Sequence, residues 1–136
     1  MNADGHGLKH QAHTERIIKV FYEVYNELGH GFLESVYERA MEIAMAQAGM
    51  SVQRQARLCV VFRGHQVGEF IADMIVNDCV AVELKAASHL DRAHEAQALN
   101  QLRASPIEVG LLFNFGARPE FKRLVFTNDR KAGFKA

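Results

Sequence analysis

The 136-residue sequence predicts a mixed α/β domain: a three-stranded antiparallel meander, a crossover helix and one or two further strands, flanked by helices. Three observations carry that prediction. Two segments near the start place apolar residues at helical intervals. The segment from Val52 to Lys85 reads as consecutive strands separated by turn residues. An Ala- and Leu-rich helix then leads into a continuous apolar strand, the order that builds a parallel crossover.

Met1 to His13 carries His6, His10 and His13 with almost no apolar content, and is expected to be a flexible tail. A metal site from His10 and His13 is the weaker reading, since such short spacings arise often by chance. From Thr14, a candidate N-cap, the residues Ile17, Ile18, Phe21, Val24, Tyr25 and Leu28 form one helical stripe. Gly29 and Gly31 break it. A second helix follows, with Leu33, Val36, Tyr37, Ala40, Met41 and Ala44 as its apolar face and Gly49 at its end.

Val52 to Phe62 alternates, with Val52, Ala56, Leu58, Val60 and Phe62 on one face. Arg63 to Gln66 is a turn, and Val67 opens the next strand. The stretch from Phe70 to Lys85 then forms a hairpin around Asn77 and Asp78. Glu83 and Lys85 must share a face, so two carboxylates and an ammonium stand where aliphatics would be simplest. Such charges cost folding free energy unless they are paired, hydrated or bound to a cation. A two-residue turn pairs Val76 with Cys79 and leaves Asp73 opposite Val82, one position short of Glu83. A bulge, or a loop of three or five residues, would bring the acids opposite each other.

Asp91 to Arg103 reads as a third helix stopped at Ser105-Pro106, with Leu90, Ala93, Ala96, Leu99 and Leu102 as its apolar surface. Val109 to Phe115 is a strand buried on both faces and parallel to the one before it, and Leu124 to Thr127 is a last short strand. Asn128 to Ala136 is expected to be exposed. The domain is expected to span 14–128, with 129–136 as a C-terminal tail.

Hydrophobic residues make up 49% and charged residues 24%, an ordinary globular composition of single-domain length. No apolar run approaches bilayer length and the first residues do not resemble a leader, so a cytoplasmic location and no membrane association are expected. The formal net charge of +0 argues against a protein that coats nucleic acid through accumulated Lys and Arg, though not against an enzyme with a local basic patch. Cys59 and Cys79 lie in strand-like apolar runs outside any CxxC spacing and are expected to be reduced core thiols.

Asp73 followed at a distance by Glu83-Leu84-Lys85 resembles the signature of the PD-(D/E)XK nuclease superfamily. Gly31-Phe32-Leu33-Glu34-Ser35-Val36-Tyr37 resembles the motif that names its GxxExxY proteins. The similarity extends to Ala86, to His94-Glu95-Ala96-Gln97 with Asn100, and to the run from Gly110 to Gly116. Two positions depart from the pattern: Ala72 rather than Pro precedes Asp73, and Gln101 stands where the family usually has Tyr.

The resemblance implies a restriction-endonuclease-like fold and a Mg²⁺- or Mn²⁺-dependent nuclease. Asp73, Glu83 and the Leu84 carbonyl would hold the metal, with Lys85 beside the attacking water. Glu34 would hold metal directly or through water, Gln97 would help hold the site, and His94 would touch phosphate or support Glu83. The implied partner is nucleic acid, DNA or RNA, and a homodimer would serve cutting of two strands. The alternative is a catalytically inactive nuclease-fold module that binds nucleic acid or a protein. Read without the resemblance, Glu34 is a favourable charge at a helix N-terminus, and Tyr37 and Asn114 are packing residues.

Overall fold

The computed structural model describes residues 9–131; residues 1–8 and 132–136, most of the two expected tails, lie outside the described residues. The elements are α1 (Gln11–Leu28), α2 (Glu34–Gln47), β1 (Val52–Phe62), β2 (His65–Val76), β3 (Val80–Lys85), α3 (Arg92–Arg103), β4 (Val109–Phe115) and β5 (Pro119–Val125), with a 3₁₀ turn at Asn128–Arg130. The strands form one sheet in the order β1-β2-β3-β4-β5. β3 and β4 run parallel, joined by α3, and the other neighbours are antiparallel. The meander, the crossover and the restriction-endonuclease-like arrangement are those the sequence predicts.

Helices α1 and α2 cover one face of the sheet. Ile17, Phe21, Tyr37, Met41 and Met45 pack there against Met74, Val76, Val82, Leu111, Phe113 and Phe115. Phe21 stacks on Phe113 at 4.4 Å and Tyr37 on Phe115 at 4.0 Å between ring centroids. Such aromatic pairs add directional attraction to the area they bury. On the opposite face α3 places Leu102 among Ala56, Ala72, Ile75 and Ala81. The approach is close: a Cβ at Gly110 would sit 3.3 Å from Leu102 Cδ2. β4, covered on both sides, buries all its residues.

Several local expectations are corrected. α1 begins at Gln11 with His10 as its N-cap, and Thr14 lies inside the helix, its hydroxyl donating to the Gln11 carbonyl at 3.0 Å. The helix extends past its apolar stripe because local polar contacts, such as Gln11 Nε2 to Glu15 at 2.7 Å, support the first turn. On α2, Leu33 and Val36 are exposed while Glu38 is buried. Cys59 is exposed on β1 rather than in the core. β5 starts at Pro119, because β4 offers pairing partners along its whole length. Lys131 is buried, not part of an exposed tail; its ammonium donates to the Ser105 and Ile107 carbonyls at 2.9 and 2.8 Å.

The hairpin register is resolved by its loop. Val76 pairs with Val80 and Met74 with Val82, so the loop is Asn77, Asp78 and Cys79 and the continuing register sets Asp73 opposite Glu83. Asn77 and Asp78 both adopt positive φ, 51° and 58°, a conformation these two residue types accept more readily than most.

Candidate active site

The two acids meet where ordinary strand pairing stops. Beyond the Met74–Val82 pair, the Asp73 N–H donates to Glu83 Oε2 at 2.9 Å, and the Leu84 N–H donates to Asp73 Oδ2 at 2.8 Å. Each carboxylate has replaced a backbone carbonyl as acceptor for the opposite strand. The neighbouring strand is irregular at the same level. Arg54 pairs with Met74 and Ala56 with Ala72, leaving Gln55, at φ 53°, across from Asp73 and outside the ladder. The register is the same on both sides of this gap, so the left-handed Gln55 interrupts the pairing locally without shifting the strand.

Both acids resist ionisation. Burial is the main reason that Glu83 is pushed up to about 7; the Asp73 charge adds to it, while the Asp73 N–H, Lys85 and Gln101 act the other way. Asp73 is also raised, first by burial and then by the charges of Glu38 and Glu34, against the Leu84 N–H and Lys85. Lys85, half-buried at the end of β3, is thus the cation that acts on both. The structure gathers more negative charge than it compensates.

Helix α2 brings Glu34 and Glu38 to this cluster one turn apart. The entry to α2 is fixed by Tyr37, whose buried hydroxyl donates to the Gly29 carbonyl at 2.7 Å and accepts from the Phe32 N–H at 3.2 Å. Gly31, at φ 110°, supplies a conformation other residues rarely adopt. The Gly31, Glu34, Tyr37 spacing is therefore a positioning device: a turn, a presented acid and an anchor. Glu38, which the sequence reading did not single out, is held by Arg54 Nε at 2.9 Å and by Gln55 Nε2 at 2.9 and 3.1 Å. An acid four residues after Glu34, inside the Tyr37–Met41 apolar stripe, was the available signal.

The crossover side differs from expectation at two residues. Gln97 is exposed, whereas Gln101, one turn on, is buried and lies close enough to Glu83 to favour its charged form. The reason lies in the helix face: the buried positions of α3 are Ala98, Gln101 and Leu102, so of two glutamines four apart only the second lies over the sheet. Its Oε1 is buried with no hydrogen-bond partner among the described residues. His94 is committed to the start of α3. Its N–H donates to Asp91 Oδ1 at 2.9 Å and its Nδ1 accepts from the Asp91 N–H at 3.2 Å, a reciprocal cap. Asn114 bonds Ala87 through both amide ends, at 2.9 and 3.1 Å, and Glu120 at 3.1 Å, fixing the chain just after Lys85. That satisfies a polar group in a buried strand.

A buried Glu83 and a half-buried Asp73 with raised proton affinity, an orphaned Gln101 oxygen beside them and further acids on α2 make a donor set of hard oxygens, which fits Mg²⁺ or Mn²⁺. It also lies at the carboxyl ends of the parallel β3 and β4, where open α/β sheets offer a crevice. No helix among the described residues is long and apolar enough to cross a membrane.

A family model described as the PD-(D/E)XK nuclease superfamily matches residues 11–124. Among solved structures, the crystal structure of SSO0001 is similar, with a TM-score of 0.54 at 12% identity, covering 90% of this chain and 63% of that one. The chain therefore spans less than two thirds of that protein, and the likeness speaks to the fold. No curated protein matches the chain.

Proposed function

The chain belongs to the PD-(D/E)XK nuclease superfamily, and from that premise we propose that it is a divalent-cation-dependent nuclease of the GxxExxY group, hydrolysing phosphodiester bonds of nucleic acid in the cytoplasm. The observation that carries this reading is the meeting of Asp73 and Glu83, each accepting the other strand's amide and each raised in proton affinity. Two such carboxylates are a costly arrangement for stability alone.

In this proposal Asp73, Glu83 and the Leu84 carbonyl hold the cation, with Glu34 completing the shell directly or through water. The cation, Mg²⁺ or Mn²⁺, supplies Lewis-acid stabilisation of charge on the phosphate and lowers the pKa of water. Lys85 orients the attacking water and offsets the growing negative charge. Gln101 takes over from Gln97 the expected part of helping to hold the site, and His94 acts by holding the start of α3.

The test is incubation of the protein with single- and double-stranded DNA and RNA in Mg²⁺ or Mn²⁺. Cleavage that disappears in Asp73→Ala supports the proposal. Cleavage no greater than that control overturns it, and salt-dependent binding without metal dependence would then favour the inactive binding module. Light scattering at working concentration decides whether a homodimer is the acting species.

A further inference from the structure

At the other end of the β2–β3 hairpin from the acids, three side chains of a different chemistry converge. The ligand atoms of His10, His13 and Cys79 lie within 4.8 Å of one another, all three residues being half-buried. We infer that they form a second metal site, for a Zn²⁺-class ion, that fastens the start of α1 to the hairpin loop.

The donor set decides the class. Two imidazoles and a thiolate are borderline to soft ligands that suit Zn²⁺ and disfavour Mg²⁺, whereas the acid cluster offers hard oxygens. In a tetrahedral Zn²⁺ shell, metal–ligand distances of about 2.0–2.3 Å set the ligand atoms roughly 3.3–3.7 Å apart. The three atoms need to close by about an ångström, within the reach of side-chain rotation. Water takes the fourth position.

The pocket is also built. The loop is pinned to the start of β1, with the Asn77 N–H donating to the Ser51 carbonyl at 2.8 Å and Asn77 Oδ1 accepting from the Ser51 N–H at 2.9 Å. That second bond fixes which end of the Asn77 amide is oxygen, so its nitrogen faces His13 and donates to Nδ1 at 3.0 Å. The His13 ring is thereby held beside Cys79 in the same loop. His10 sits at the N-cap of α1, its ring centroid 5.8 Å from that of His13. Loading exchanges the Asn77–His13 bond for a coordinate bond. It also releases one proton, because the Cys79 S–H becomes a metal-bound thiolate and its proton passes to solvent.

The sequence carries its own control, since Cys59 is exposed on β1 and has no place in the cluster. Untagged full-length protein, stripped with a chelator, is titrated with Co²⁺ as a spectroscopic substitute and separately with Zn²⁺. A thiolate-to-cobalt charge-transfer band is expected, lost in Cys79→Ser, weakened in His10→Ala and His13→Ala, and kept in Cys59→Ser. The band should also persist in Asp73→Ala, which separates this site from the acidic one. With Zn²⁺ at about 100 times its Kd, alkylation of Cys79 should slow about 100-fold while Cys59 reacts as before. Absence of the band, its survival in Cys79→Ser, or equal reactivity of the two thiols in Zn²⁺ would overturn the inference.

Discussion

The two halves of the β2–β3 pairing show how differently one hairpin can be held together. From Met74 to Val82 the strands pair in regular register with buried apolar side chains, and the backbone alone satisfies the backbone. One residue further out, the side chains of Asp73 and Glu83 accept the amides, and stability has been given up to place two acids side by side. The first half sets the register; the second half uses it. A shift of one position in the first would send the acids to opposite faces.

That contrast can be broken from either side. The largest effect is expected at Lys85→Met, which should lower the rate of metal-dependent cleavage by roughly 10²–10⁴-fold with little change in stability; single-turnover kinetics and thermal melts together check both parts. Met74→Ala should do the reverse. It empties a fully buried position of the regular half and should cost about 2–5 kcal/mol in denaturant unfolding, with cleavage per folded molecule retained.

The acids themselves predict a pH signature. A carboxyl raised from 4.5 to about 7 on folding contributes stability that is fully present below pH 4.5 and lost as pH rises through about 7. For Glu83 this amounts to something on the order of 3 kcal/mol; Asp73, shifted in the same direction, adds to it. Metal-free protein should therefore melt lower at pH 8 than at pH 5, and Glu83→Gln should flatten the trend. Saturating Mg²⁺ should raise the pH 8 value selectively, and a melting temperature indifferent to pH in the stripped protein would contradict this account. The smallest effect is expected at Tyr37→Phe, which keeps the stack on Phe115 but loses the hydroxyl bonds to Gly29 and Phe32, costing about 1 kcal/mol by chemical denaturation.

How far the sequence could be read follows from the range of the interactions involved. Periodicity and turn residues located the helices, the meander and the crossover, because each depends on neighbours a few positions away. β4 was legible to the residue, since a strand covered on both faces is apolar at nearly every position, with Asn114 the single polar interruption. The hairpin register was not. Asn77 and Asp78 suit two loop lengths, and nothing local shows that Cys79 belongs to the loop rather than the strand. Gln97 and Gln101 are equally polar and one turn apart, so only the packing of α3 on the sheet separates them. Glu38 looks like an ordinary helix acid until Arg54 and Gln55 arrive from β1 to hold it. The approach of His10 and His13 to Cys79 bridges about half the chain, and spacing gives no sign of it.

The parallel contact between β3 and β4 carries a consequence for the order in which the molecule assembles. Asp73 and Glu83 are brought together by closing a loop of ten residues, whereas Gln101 reaches Glu83, and Asn114 pairs with Lys85, only after the crossover has swung over. Short closures are entropically cheap and fast, and parallel pairings are slow. The acids should therefore confront one another early, before a helix shields them, and the last kinetic phase should be the docking of α3. Pulse-labelled amide exchange should then show Leu84 protected ahead of Leu111 and Phe113.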